Sequence, residues 1–238
     1  MKLFRKSREE RSNGYLLYAI GEIVLVVLGI LIALQIDTWN THRVNEIRKN
    51  NILSEIRIQL KDDLEDIKNN INGHEASIKA GERVAAYLRG DTVGQDSVSY
   101  YLLALTGDYT SLNNMTSFET LKDFGLQHIR QGVLRTEIAR LYDYHYESLE
   151  TIEEEYYPTS YYEIYNDRIM DIVEPLLYYD EKDQLRFKSN IGNRILTPRI
   201  DYDLRQASFW RSFQLREYNE VVDQVHLVDS LIGLEIGN

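Results

Sequence analysis

A single apolar stretch near the N-terminus constrains this chain more than any other feature. Residues 15–36 read YLLYAIGEIVLVVLGILIALQI and contain one charged residue, Glu22. A helix of this length spans roughly 33 Å, which is enough to cross a hydrocarbon core of about 30 Å. Tyr15, Tyr18 and Trp39 flank the stretch, as aromatic residues commonly flank membrane spans. The stretch therefore predicts a transmembrane helix.

A buried core helix and a cleaved signal peptide are the two alternatives to a membrane span. The core helix of a soluble protein can be strongly apolar, but such a helix is rarely apolar on every face in a domain of this size. A cleaved signal peptide has an apolar region of about 7–15 residues followed by small residues at the cleavage site. This stretch is longer and ends in Ala33-Leu34-Gln35, which is a poor cleavage site. We therefore expect an uncleaved signal anchor.

Basic residues on either side of the stretch predict its orientation. Residues 1–14 contain five Lys and Arg, and residues 37–50 contain three. Because the more basic flank stays in the cytoplasm, we expect a basic cytoplasmic stub (1–14), a transmembrane helix (15–36) and an extracytoplasmic helical domain (37–238). The formal charge is +3 for the stub and −13 for the third segment. The expected location is the bacterial inner membrane, with the bulk of the chain in the periplasm. The absence of Cys is compatible with this compartment, because such a chain does not depend on disulfide formation.

The apolar stretch resembles the N-terminal signature of an uncharacterised family of bacterial single-span membrane proteins. The resemblance rests on Gly21 to Ile36, GEIVLVVLGILIALQI, followed by Trp39-Asn40. It is specific over residues 15–45 and diffuse beyond them. The resemblance implies one span and a helical exterior domain, and it implies no activity.

One stripe of the predicted span carries its small residues and its only charge. Spacings of three and four place seven residues on one helix face: Ala19, Glu22, Val26, Gly29, Ala33, Ile36 and Asn40. Gly29 and Ala33 would let two helices approach closely. The candidates for a membrane seam are therefore Glu22, Gly29 and Ala33, and they predict a homo-oligomer.

Glu22 has three possible roles, which the sequence leaves open. It lies one turn from Tyr18, so its carboxylate could reach the headgroups by snorkelling. It could also contact another subunit or a partner within the membrane. The third role is proton or ion handling, which intramembrane carboxylates perform in ion-driven complexes.

Helical periodicity continues through the rest of the chain. The apolar spacing predicts three principal helices, over about 40–89, 130–157 and 203–232. A kink or stop is expected at Asn69–Gly73 and another at Pro175, and residues 180–200 read as a loop. Neither a strand run nor a repeat is evident. We predict an all-α fold in which the N-terminal transmembrane helix continues into a bundle of long helices.

No pattern typical of catalysis or cofactor binding occurs in the sequence. It contains no Cys, no Glu-x-x-His pair, no His-Glu-x-x-His and no Gly-x-Ser-x-Gly. The residues that could be imagined as metal ligands lack the spacing of a known site, and they are His74, Glu75, Glu82, His145, Glu147, Asp223 and His226. His145 lies on an apolar stripe, where a core or interface histidine is expected. We therefore predict that the protein is not an enzyme and has no cofactor and no metal.

Tyrosines and glutamates are concentrated in one region. Residues 142–179 contain ten Tyr, with Glu150, Glu153, Glu154 and Glu155 among them. Because tyrosine combines a large apolar body with a polar tip, the region predicts a recognition surface. Its candidate residues are Tyr156, Tyr157, Tyr161 and Tyr162. The alternative is an ordinary packed bundle with a solvated acidic face, which lacks a calcium-loop pattern and would attract a cation only weakly.

Together these features favour a membrane-anchored helical interaction or scaffold protein that self-associates. The expected partners are the lipid bilayer, further copies of the chain and an envelope protein. Nucleic acid is excluded as a partner because the formal charge is −11. Two alternatives are a periplasmic ligand sensor that acts through a partner and an accessory subunit of an ion-driven envelope complex.

Overall fold

The structure, a computed structural model, describes residues 3–91, 95–170, 173–191 and 196–237. These residues are helical except for connecting segments and one β-hairpin, which confirms the predicted all-α class. The chain divides into two compact units. The first unit ends at Asn51 and the second begins at Ile52.

Seven α-helices and two strands make up the regular structure of these ranges. In chain order they are α1 (Leu3–Leu88), α2 (Gln95–Thr106), α3 (Thr116–Phe124), α4 (Gly132–Arg140), α5 (Glu147–Glu150), α6 (Tyr161–Met170), β1 (Val173–Tyr179), β2 (Leu185–Ile191) and α7 (Pro198–Gly237). Two π-helical segments follow α4 and α5, at Leu141–Tyr146 and Thr151–Glu155. Short 3₁₀ turns cover Leu126–His128 and Tyr157–Thr159.

Two apolar clusters form the core of the second unit. The larger cluster joins α1 to α3, α4, α5 and α7, and its buried members are Ile52, Leu53, Ile56, Leu60, Ile67, Phe118, Leu121, Ile129, Leu134, Ile138, Leu141, Tyr142, Tyr146, Leu149, Tyr218, Val221, Val225, Val228 and Ile232. The smaller cluster joins the end of α1 to α2, α6 and the first half of α7 through Val84, Tyr87, Leu88, Val98, Leu105, Tyr161, Tyr165, Leu204 and Ala207. The stripe that the sequence predicts from Tyr218 to Ile232 is buried throughout.

The stop expected as one of two possibilities at Asn69–Gly73 does not occur, because α1 runs through this segment to Leu88. Gly73 serves close packing instead. A Cβ atom at this position would lie 2.4 Å from a ring carbon of Tyr109, so only glycine lets that ring lie against the helix. The predicted end of the first principal helix near residue 89 is confirmed, and the stop lies at Gly90, whose φ of 100° belongs to the left-handed turn that ends α1.

The helix predicted over 130–157 is present, but two π-helical segments shift its buried face. A π turn holds one residue more than an α turn, so the side chains that follow it rotate around the axis. Tyr142 and Tyr146 are consequently buried, whereas His145, which the regular spacing places on the buried stripe, is only half-buried. A spacing rule based on 3.6 residues per turn does not anticipate this rotation.

A β-hairpin replaces the helix end and loop that the sequence predicts around Pro175. Strands β1 and β2 pair antiparallel, and Pro175 lies opposite Ser189. A proline is tolerated there because each strand of a two-stranded sheet has an outer edge that needs no N–H donor. The turn is closed by Asp180, whose Oδ1 accepts hydrogen bonds from the backbone N–H groups of Lys182 and Gln184 at 2.9 and 3.0 Å. Residues 192–195 of the predicted loop lie outside the described residues.

Helix α7 begins five residues before its predicted start. Thr197 precedes Pro198, and its Oγ1 accepts a hydrogen bond from the backbone N–H of Ile200 at 3.3 Å. A threonine cap followed by proline at the first helical position is a typical helix start. The Thr-Pro pair was therefore a usable sequence signal that the apolar spacing alone misses.

A buried arginine in α7 connects four elements of the second unit. Arg211 is fully buried, and its Nη2 donates to the carbonyl oxygens of Leu105 and Gly107, both at 2.7 Å. Its Nη1 lies 3.2 Å from Nδ1 of His74 in α1. The guanidinium carbon lies 3.7 Å from the ring centroid of Tyr161 in α6, so an aromatic face shares the charge. No salt bridge to a carboxylate is present at Arg211 among the described residues.

The two residues of this contact, His74 and Arg211, differ in charge at physiological pH. Burial, and after it the neighbouring charge of Arg211, lower the pKa of His74 to about 3. His74 is therefore neutral at physiological pH, and its Nδ1 can accept the hydrogen bond from Arg211. Burial also lowers the pKa of Arg211, but arginine stays protonated because its ordinary pKa is so high.

We predict that Arg211→Ala lowers the free energy of unfolding by about 3 kcal/mol or more, because it leaves a cavity and three buried acceptors without their donor. Urea unfolding of the full-length protein in detergent, followed by tyrosine near-UV circular dichroism, measures the loss. Arg216→Ala is the matched control on the same helix, since Arg216 is exposed, bonds to the adjacent Glu217 and lies 5.1 Å from the ring centroid of Phe213. The control should change stability by less than about 0.5 kcal/mol. Equal losses in both variants would contradict the role of Arg211.

Candidate functional site

The first unit presents a continuous apolar helix surface. Every residue from 18 to 44 is exposed, and Leu25, for example, keeps 72% of its surface. By length and composition α1 can cross a membrane, and it is the one such helix among the described residues. A surface of this kind is unfavourable in water and favourable in lipid.

The seam candidates lie open on this surface. Glu22, Gly29 and Ala33 are all exposed, and no atom lies within 4 Å of the position that a Cβ would take at Gly29. The face is therefore accessible to a second helix.

Two contacts lie in α1 just after the apolar stretch, where the helix would leave the membrane. The hydroxyl of Thr38 donates to the carbonyl oxygen of Leu34 at 2.8 Å, so this polar group is satisfied within the helix. The guanidinium of Arg43 lies 6.0 Å from the ring centroid of Trp39. An aromatic residue beside a basic one is typical of a membrane–water boundary.

The four tyrosines predicted as a recognition surface are not all exposed. Tyr156, Tyr157 and Tyr162 are exposed by 42%, 66% and 57%. Tyr161 instead lies in the core, where its hydroxyl donates to Oε1 of Gln214 at 2.8 Å. The expectation that Tyr161 belongs to a surface is therefore corrected. The reason is that α6 begins at Tyr161 and turns this residue inward.

Tyr156 contributes to an aromatic surface that the tyrosine-rich pattern does not single out. Its ring centroid lies 5.5 Å from that of Trp210, which also contacts Phe209 and Phe213. Phe209 is 60% exposed. The run Phe209-Trp210 with Phe213 one turn later was the available signal.

The imagined metal ligands are not assembled by the fold. His74 is buried beside the cationic Arg211, and Glu75 is exposed and lies 3.7 Å from Lys79. Asp223 and His226 are exposed on α7. The described part of the chain contains no group of three or more His, Asp or Glu that could hold a metal ion.

The second unit contains an acidic groove of about 980 Å³. It lies between α1, the segment 111–116 and the helical segment 142–154. Seven carboxylates line it, and they are Asp62, Asp63, Asp66, Asp143, Glu147, Glu150 and Glu154. Every other lining residue is uncharged.

Asp63 is the buried carboxylate of the acidic groove. It is 2% exposed and accepts hydrogen bonds from the hydroxyl of Tyr146 at 2.8 Å and from the backbone N–H of Asn114 at 3.4 Å. Burial raises the pKa of Asp63 to about 6, although both hydrogen bonds oppose the rise. The residue therefore carries a charge at neutral pH at a cost in folding free energy.

Two polar groups of the acidic groove have no hydrogen-bond partner among the described residues. Tyr142 is 1% exposed, and its hydroxyl makes no hydrogen bond. The side-chain oxygen of Asn113 is also buried without a donor. Burial, and after it the charge of Asp63, raise the pKa of Tyr142. Buried polar groups without partners are uncommon in proteins.

The segment between α2 and α3 is held by side chains along its whole length. Asp108 accepts from the backbone N–H groups of Tyr161 and Tyr162 at 3.0 and 3.3 Å, and so caps α6. Ser111 donates to Glu153 through its backbone N–H and its hydroxyl, both at 2.9 Å. Such bonds fix an irregular backbone that has no ladder of its own.

Further bonds fix the part of this segment that faces the groove. The backbone N–H of Leu112 donates to Oδ2 of Asp66 at 2.9 Å, and Asn70 donates to the carbonyl oxygen of Thr110 at 3.1 Å. The hydroxyl of Tyr218 donates to Glu153. Burial raises the pKa of Glu153, whose three hydrogen bonds oppose the rise. These hydrogen bonds therefore hold the wall of the acidic groove in a defined shape.

Comparison with known proteins identifies no relative: no family model matches the chain, and no curated protein or solved structure is similar to it. The resemblance of Gly21–Ile36 to a family of single-span membrane proteins stays a prediction.

The raised pKa of Asp63 generates a prediction on stability. Between its ordinary pKa of 3.8 and about 6 the folded protein binds more protons at this site than the unfolded chain. The contribution of Asp63 to stability is therefore most favourable below pH 4 and is lost as pH rises through 6. Asp63→Asn should gain stability relative to the wild type from pH 4 to pH 7, on the order of 2 kcal/mol.

Urea unfolding of both full-length proteins in detergent at several pH values measures this difference. The comparison cancels the opposite contribution of His74, whose lowered pKa costs stability as pH falls below 6.5. If the difference in unfolding free energy between variant and wild type stayed constant with pH, the pKa of Asp63 would not be raised by folding.

Proposed function

We propose that the protein is a membrane-anchored helical interaction or scaffold protein that self-associates. The observation that carries the proposal is the complete exposure of the apolar helix surface over residues 18–36. A protein that kept this surface in water would aggregate, whereas a bilayer covers it at every position.

The proposed location is the bacterial inner membrane. Residues 1–14 lie in the cytoplasm and the chain after the span lies in the periplasm, because the first flank is the more basic one. A basic stub also suits the anionic headgroups of the cytoplasmic leaflet. The segment after the span, residues 37–238, is acidic and is therefore not attracted to anionic headgroups.

The proposed self-association uses the seam of Glu22, Gly29 and Ala33. Two small residues one turn apart let helix backbones approach closely, and dispersion and packing then stabilise the pair in lipid. Contact between subunits would also cover Glu22, whose carboxylate is unfavourable against lipid.

A ligand sensor that acts through a partner is the second candidate. The acidic groove favours it, because it is a concave, polar and rigidly framed feature in the part of the chain proposed to be periplasmic. A sensor of this kind would need a separate membrane protein to transmit its signal.

We predict that Gly29→Ile weakens self-association of the full-length protein about fivefold or more, because a branched side chain keeps the helices apart. A bacterial membrane two-hybrid assay measures the signal, with immunoblots of the membrane fraction to show equal amounts. Leu28→Ile is the matched control, since it introduces the same side chain one residue away on another face. Equal signals from both variants would remove the seam from the proposal.

A further inference from the structure

We propose that the acidic groove binds an extended organic polycation of the linear polyamine class. The inference goes beyond the proposed anchoring and self-association and does not depend on them. Every residue that lines the groove belongs to the second unit.

The charge of the groove is the first reason for this choice of ligand. Its seven lining carboxylates face no Lys, Arg or His within the lining. Lys122 is the one described cation that reaches a groove carboxylate, and its Nζ lies 4.0 Å from Asp143 at the edge. Carboxylates gathered in this way repel one another and raise the local concentration of cations. A cationic ligand would relieve that repulsion.

The unpartnered groups are the second reason, and they are independent of the charges. The hydroxyl oxygen of Tyr142 and the side-chain oxygen of Asn113 can both accept a hydrogen bond, and neither has a donor. Tyr142 is 1% exposed and belongs to the lining of the groove, so its hydroxyl is an unpartnered buried group in the wall that carries the carboxylates. An alkylammonium group carries three donors and no acceptor. It therefore complements both the carboxylates and these two oxygens.

The distribution of the carboxylates decides between a single ion and an extended ligand. Asp143, Glu147, Glu150 and Glu154 follow one another by about one helical turn, so the row is roughly 16 Å long at ~1.5 Å per residue. No three of the described acidic groups converge as metal ligands do. Charges spaced along a row match a chain with several separate ammonium groups.

The composition and size of the groove also suit a polyamine. Leu112 and Met115 belong to the lining and offer apolar contact to methylene segments between the amines. Three- and four-carbon segments separate the charges by about one turn of the helix that carries the glutamates. The volume of about 980 Å³ lies within the range of small-molecule sites.

Isothermal titration of the full-length protein in a non-ionic detergent, with spermidine as the probe, tests the proposal. We expect one saturable site. Asp62→Asn combined with Glu147→Gln should weaken binding at least tenfold, and both positions are exposed, so the fold should tolerate the changes. The matched control combines Glu220→Gln with Asp223→Asn, two exposed residues outside the lining, and should stay within twofold of the wild type.

Tyr142→Phe separates a built site from a diffuse acidic field. The variant keeps the ring that stacks on Phe118 with centroids 4.3 Å apart, and it removes only a hydroxyl that has no partner. We expect spermidine binding to weaken about fivefold while the thermal unfolding temperature is maintained or rises.

Four results would overturn the proposal. The first is the absence of saturable spermidine binding, including the case in which an oligolysine peptide binds and spermidine does not. The second is an equal loss of affinity in the two double variants, and the third is full affinity in Tyr142→Phe. The fourth is complete displacement of spermidine by Mg²⁺ at equal charge concentration, which would indicate a site for a small ion.

Discussion

The apolar surface of residues 18–36 sets the constraint on which the inferred topology of this protein depends. The surface is exposed at every position, so it needs a cover that the chain itself does not supply within the described residues. A lipid environment requires that each backbone polar group be satisfied within the segment, which only a helix achieves for a single span. The sequence meets this condition with an uninterrupted helix and one charge, Glu22. Topology, location and self-association are all inferred from this constraint.

The second unit is organised around buried polar contacts as much as around its apolar clusters. The segment between α2 and α3 connects its two distinctive features. Gly107 accepts from the buried Arg211, while Leu112 and Asn114 bind carboxylates of α1 and line the acidic groove. A buried positive charge and a surface row of negative charges are thus supported by one irregular segment. Its backbone is satisfied largely by side chains, so its shape depends on them.

Much of this fold follows from sequence patterns, and the exceptions have physical causes. The stripe from Tyr218 to Ile232 and the stop at Gly90 are confirmed because each depends on local geometry. The π-helical segments escape a regular spacing, and they decide that Tyr142 and Tyr146 are buried rather than His145. Gly73 illustrates the same limit, since its reason lies 36 residues away in the ring of Tyr109.

The groove was even less accessible to sequence reasoning. Its glutamates and Asp143 belong to an acidic region that reads as a solvated face, whereas Asp62, Asp63 and Asp66 come from α1, far away along the chain. Only the packing of the second unit brings the two sets to one concavity. The buried arginine has no local signature either, because α7 contains other arginines that are exposed, such as Arg205 and Arg216. Only the tertiary contacts distinguish the buried Arg211 from these exposed arginines.

The absence of Cys from the chain permits the most direct test of membrane insertion. Single cysteines at Ser7, Ile30 and Ser230 can be introduced one at a time and labelled in spheroplasts with a membrane-impermeant maleimide. We expect that Ser230→Cys reacts in intact spheroplasts, that Ser7→Cys reacts only after the membrane is permeabilised, and that Ile30→Cys reacts only after solubilisation and denaturation. Rapid labelling of Ile30→Cys in intact spheroplasts, at the rate of Ser230→Cys, would contradict the membrane span and the function inferred from it.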